Sequence, residues 1–175
     1  MTKTIAIVVL LALAGVLVLA ALRPDTFRVQ RAITIKAPAE KIFPLINDLR
    51  RFNTWNPYEK KDPNLQGRYS GAVSGKGAVY SFDGNRNVGQ GSVEITDSFA
   101  PRRVAMLLHM IRPVEARNDI EFTLEPQGDA TQVTWAMQGK VPYVAKIIHV
   151  FVSMDRMIGR DFEDGLASLK AEAEK

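Results

Sequence analysis

An α+β fold, with a curved antiparallel sheet wrapped around a long C-terminal helix, is what the 175-residue sequence predicts. Two observations carry that prediction. From Ile147 onward the large apolar residues recur at Phe151, Met154, Ile158, Phe162, Leu166 and Leu169, steps of three and four that place them on one helical face. Before them, between about Thr26 and Gly139, short segments alternate apolar with polar residues and are separated by turn signals, the pattern of sequential antiparallel strands. An apolar helical stripe needs a covering surface, and the concave face of that sheet is the simplest one.

With 46% hydrophobic and 24% charged residues, the chain suits one globular domain plus an added segment. Ile5 to Leu22 is the added segment: it carries no charge, is bounded by Lys3 and Arg23, and would rise roughly 27 Å as a helix. The expectation is an N-terminal transmembrane anchor over 1–23, a helix-and-sheet domain over 24–175, and a single-pass membrane localisation. A cleaved signal peptide is the competing reading, with Val18-Leu19-Ala20 as its small-residue cleavage site. Arg23, Arg28, Arg31, Lys36 and Lys41 favour a cytoplasmic domain by the positive-inside tendency, but a translocated domain also tolerates such charges, so the side stays open. The absence of cysteine removes disulfide and thiolate chemistry. A net charge of +4 with both signs interspersed reads as a solvated surface and not as a nucleic-acid stripe.

The elements follow in order. Phe27, Val29, Ile33 and Ile35 alternate with polar residues in a half-buried first strand, with Arg31 the exception on its inner face. Ala37-Pro38-Ala39-Glu40 ends that strand and opens a helix with Ile42, Phe43, Leu45 and Ile46 on its buried side, kept short or kinked by Pro44. A turn around Asp48 to Phe52 leads into the aromatic loop Trp55-Asn56-Pro57-Tyr58. Six further strands are expected at Leu65–Ser70, Ala78–Phe82, Val88–Asp97, Arg103–Ile111, Glu115–Leu124 and Thr131–Gln138. Pro142 sits near the first helical position of the C-terminal run, which at about 50 Å would outspan the domain, so a break is expected at Ser153, a natural N-cap followed by Asp155.

This order of elements is that of the helix-grip, or START-like, fold. Ile33-Thr34-Ile35-Lys36-Ala37-Pro38-Ala39-Glu40-Lys41-Ile42-Phe43 resembles the opening of the polyketide cyclase/dehydrase and lipid-transport family of the SRPBCC superfamily. Asp48, Trp55-Asn56-Pro57 and the run from Asp161 to Lys170 look like its bacterial membrane-anchored members. The resemblance covers about Thr26 to Ala173. It implies a cavity between sheet and final helix, and it carries no shared catalytic set.

No motif for catalysis or cofactor binding stands out. His109 and His149 have no HExxH or HxxxH partner, so no metal site is expected; no Ser stands in G-x-S-x-G, and the glycines lack nucleotide-binding spacing. Glu94, Glu121 and Glu125 fall on outward strand phases and read as solvated charge. Asn118 differs, because it shares the inward phase of Ile120, Phe122 and Leu124; it either orients a ligand carbonyl or bonds to backbone. Trp55, Tyr58, Tyr80, Phe82, Asn118, Ile120, Trp135, Met137, Met154 and Ile158 are the expected cavity lining, with plain core packing the alternative for any one of them. Ile148 and Val152, in the apolar piece before Ser153, are the expected gate. The leading function is a membrane-tethered module that holds a hydrophobic small molecule or lipid without cofactor or catalysis. A cyclase- or dehydratase-like enzyme on an aromatic or polyketide substrate is the second reading, and its mark would be an inward carboxylate, histidine or tyrosine. A non-catalytic envelope or stress interaction protein with a filled interior is the third.

Overall fold

The computed structural model describes residues 2–149 and 153–175. Its elements are α1 (Thr2–Ala21), β1 (Thr26–Ile35), α2 (Ala39–Asn47), α3 (Leu49–Trp55), a 3-10 turn at Glu59–Lys61, β2 (Gln66–Gly71), β3 (Ala78–Asp83), β4 (Gln90–Phe99), β5 (Arg103–Arg112), β6 (Ala116–Gln127), β7 (Ala130–Lys140), α4 (Tyr143–His149) and α5 (Met154–Ala173). The strands form one antiparallel sheet in the order β1-β7-β6-β5-β4-β3-β2. Consecutive strands from β2 to β7 are neighbours, and β1 closes against the last of them. Register shifts between Gln90 and Gly91 and between Ile95 and Asp97 add local bend to β4.

Local sequence explains the helix ends. Asp48 caps α3 by accepting from the Arg50 N–H at 2.9 Å, and Pro44 lies within the nine-residue α2. Ile42, Phe43 and Ile46 face inward as the periodicity requires. Ser153 caps α5, its hydroxyl accepting from the Arg156 N–H, so the C-terminal run is two helices.

Helix α5 packs on β1 and against α2 and α3, which in turn pack on β6 and β3. Ile158, Phe162, Leu166, Leu169 and Ala173 are its buried stripe. Polar contacts also run along its length. Arg31 of β1 binds Asp155 at 2.9 and 3.0 Å and Glu163 at 2.7 Å; Lys170 donates to the Thr34 carbonyl at 2.9 Å; Glu174 accepts from the Lys36 N–H at 2.7 Å. These contacts hold the Arg31 guanidinium above its ordinary pKa and the Asp155 and Glu174 carboxyls below theirs, the hydrogen bonds being the main cause.

The expected membrane anchor needs correction. Among the described residues no helix is long and apolar enough to cross a membrane. The single-pass membrane localisation, and membrane tethering through this helix, are therefore not upheld. Instead α1 packs on α4: the Tyr143 hydroxyl donates to the Leu17 carbonyl at 2.9 Å, and the buried Lys146 ammonium donates to the Arg23 carbonyl at 2.9 Å and pairs with Asp25.

Candidate functional site

The concave face of the sheet consists of cross-strand rows, because opposed residues in paired antiparallel strands point the same way. One row, set by register, is Arg31, Trp135, Phe122 and Val104. The next is Val29, Met137, Ile120, Met106 and Ile95. A third runs Phe27, Gly139, Asn118, Leu108, Val93, Tyr80 and Tyr69 across all seven strands.

The Trp135 row is sealed. Trp135 stacks on Phe162 of α5 with ring centroids 4.1 Å apart, and meets Phe122, Phe52 and Trp55 in tilted and edge-on contacts. The stack needs Gly165 on α5, where a Cβ would come within 2.7 Å of the Trp135 ring and 3.0 Å of Pro57. Trp55 is satisfied there, its indole N–H donating to the Leu45 carbonyl at 2.8 Å. The Trp135 indole N–H is buried without a partner.

The Asn118 row is less covered. Phe27, Leu108, Val93 and Tyr69 are half-buried, as are Phe82 on β3 and Met154 at the start of α5. Asn118 is 8% exposed, and its Oδ1 is buried with no hydrogen-bond partner. The carboxamide lies across Gly139 of the neighbouring strand, where a Cβ would sit 2.0 Å from Oδ1. An unpaired buried carbonyl oxygen costs about 1–3 kcal/mol, so plain stability does not explain an asparagine at this point of an apolar wall.

The expected lining residues therefore separate into four groups. Trp55 and Trp135 belong to the sealed end, and Ile120, Met137 and Ile158 to the buried middle. Phe82, Asn118 and Met154 border the half-covered end. Tyr58 and Tyr80 are directed elsewhere. Tyr58 lies under the Lys61 ammonium, 4.8 Å from its ring centre, and Lys61 binds Asp161 at 2.7 Å. Burial, then the Asp161 charge, raises the Tyr58 pKa. Tyr80 lies over Gly67 and donates to Glu59 at 2.7 Å; burial first, then that carboxylate, raises its pKa. Of the expected gate, Val152 lies outside the described residues, and Ile148 falls in α4 with its side chain outside the description. Residues the sequence reading left out are Phe27, Val93 and Leu108. Their strand phase, matched across the register to Asn118, was the available signal.

Two recesses among the described residues open at the surface. One of about 320 Å³ lies on the convex side, where Ala105 and Ala136 flank Glu121 and Arg103 bridges Asp97 and Glu121. A smaller one of about 110 Å³ lies beside Arg50 and Tyr69.

A seven-stranded antiparallel sheet gripping a C-terminal helix, with an apolar concave wall between them, defines a helix-grip protein of the α+β class. The family description "Polyketide cyclase / dehydrase and lipid transport" matches residues 26–174, and the chain belongs to that family. Solved structures agree on the fold. Protein CV1439 from Chromobacterium violaceum is similar at 14% identity and a TM-score of 0.60, over 87% of this chain and 99% of that one. Major latex-like protein 151 from Panax ginseng is similar at 11% identity and a TM-score of 0.61, over 87% and 100%. DynU16, a protein of the dynemicin biosynthetic locus, is similar at 17% identity and a TM-score of 0.59, over 87% of this chain and 48% of that one. A sequence search of curated proteins finds no match.

Proposed function

We propose that this protein binds a hydrophobic small molecule or lipid on the concave face, at the half-covered end of the grip. The observation that carries this reading is the gradient of burial along one apolar wall. Phe27, Val93 and Leu108 stay half-exposed where an ordinary core would cover them, while the row around Trp135 is closed. The family's ligand-binding character supports the same reading.

The test is organic extraction of the purified protein with mass spectrometry, together with titration by the neutral apolar dye Nile red. Saturable dye emission that is lost in Val93→Arg, with the fold retained by circular dichroism, is the expected result. No extracted molecule and no saturable dye binding would remove this reading.

One observation favours a second reading, a cyclase- or dehydratase-like reaction. Tyr80 is 5% exposed, belongs to the Asn118 row by register and donates to Glu59 at 2.7 Å, a phenol–carboxylate pair at the rim of the concave face through which a proton could be relayed. Loss of turnover in Tyr80→Phe with dye binding unchanged would support it, whereas equal turnover in both proteins would exclude it.

A further inference from the structure

We infer that the bound molecule is neutral and carries a hydroxyl group that meets the Asn118 carboxamide. This inference rests on the concave-face reading above and specifies the chemistry of its ligand.

Two properties of the wall lead there. The first is charge. Across the three rows of the concave face the single ion is Arg31, and it is held by Asp155 at 2.9 Å and Glu163 at 2.7 Å. A carboxylate or phosphate placed against Asn118 would lose its hydration and, among the described residues of these three rows, meet no unpaired cation, the nearest one at the row's far edge being Arg50 over the Tyr69 ring; this disfavours an anionic ligand. The second is hydrogen bonding. Asn118 is more than nine-tenths buried, with an acceptor oxygen that no described group satisfies. It stands in the same row as Leu108 and Gly139, and the missing side chain at position 139 lets the amide lie flat there.

The terminal torsion of an asparagine is soft and roughly two-fold, so a half-turn exchanges the oxygen and the NH2 group at a given point. A hydroxyl can donate to the first and accept from the second. An ester or ketone can only accept, and so leaves the unsatisfied oxygen as it was. The wall therefore selects an alcohol or phenol over an ester, and either of these over a carboxylate.

The experiment is displacement of Nile red from the purified full chain at pH 8 by decan-1-ol, methyl decanoate and sodium decanoate, all below their aggregation limits. Decan-1-ol should displace the dye at about tenfold lower concentration than the ester, the size of one net hydrogen bond, with decanoate weakest. In Asn118→Leu the alcohol and the ester should become equal, each displacement being referred to the dye affinity measured for that variant. Asn118→Ala serves as the second variant, since leucine could fill part of the site, and it should show the same equality. Equal displacement by all three in the native protein, decanoate acting first, or an alcohol preference that survives in both variants would overturn the inference while leaving the dye-binding site intact. Failure of the dye to bind the native protein would instead remove the concave-face reading, and this inference with it.

Discussion

The Trp135 row and the Asn118 row lie on the same face of the same sheet, in the same strands, four residues apart along β7 between Trp135 and Gly139. One is closed by aromatic rings from two helices, and the other is half-covered. Strand composition does not account for this, since both rows are mainly apolar. The difference comes from what faces them. Helix α5 sets Phe162 and the bare backbone of Gly165 against Trp135, and α3 adds Phe52 and Trp55. Opposite Leu108 and Val93 the covering is partial. In this fold the helices decide which part of the sheet is core and which is wall.

Substitutions should separate the two regions by size of effect. Trp135→Ala is expected to cost the most, about 3–5 kcal/mol, measured by urea unfolding at neutral pH. Gly165→Ala should cost about 1–3 kcal/mol by overpacking the same stack. If either loss came out below that of a wall substitution, the sealed region would not be the stabilising one. Leu108→Ala removes a half-buried side chain and should cost roughly 1 kcal/mol, below the full-burial range, while weakening dye binding more than either core variant does per unit of stability lost. Asn118→Leu should leave stability unchanged or raise it slightly, because it removes an unsatisfied oxygen. A large destabilisation there would show that the amide is a structural tie.

The acid limb gives a further contrast, outside both rows. The Asp155 carboxyl is held below its ordinary pKa by Arg31, so its contribution is present above the ordinary carboxylate range and is lost as pH falls through the lower folded value. The drop in melting temperature between pH 7 and pH 2 should therefore be smaller in Asp155→Asn than in the native protein. The effect is modest because the Asp155 side chain is 63% exposed.

The sequence shows the strands with good fidelity because their alternation and turn residues are local properties. Each expected strand lies within a few residues of one in the structure, and the Ser153 break follows from cap chemistry that three residues can report. The site was less legible. Strand phase says that Trp135 and Asn118 both point inward, but not that Phe162 covers one and leaves the other. Nor could phase show that Tyr80 bends over Gly67 of the edge strand β2 to reach Glu59, since that contact joins β3 to a 3-10 turn. Composition also proved a weak guide at the N-terminus, where an apolar run read as a membrane anchor has its described packing against α4.

The contacts between β1 and α5 bear on how the helix finds its seat. An apolar stripe that repeats every three or four residues is nearly unchanged by a slip of one turn, about 5.4 Å along the axis. Phe162 could take the place of Ile158, and Leu166 that of Phe162, with modest loss. Arg31 reaching Asp155 and Glu163, Lys170 reaching Thr34, and Glu174 reaching Lys36 form an aperiodic set that fits at a single offset. The greasy stripe supplies adhesion, and these few ions act as a vernier that fixes the scale. Any slipped seating would also move Gly165 from beneath Trp135, so the same offset that pairs the charges is the one that lets the aromatic end of the grip close.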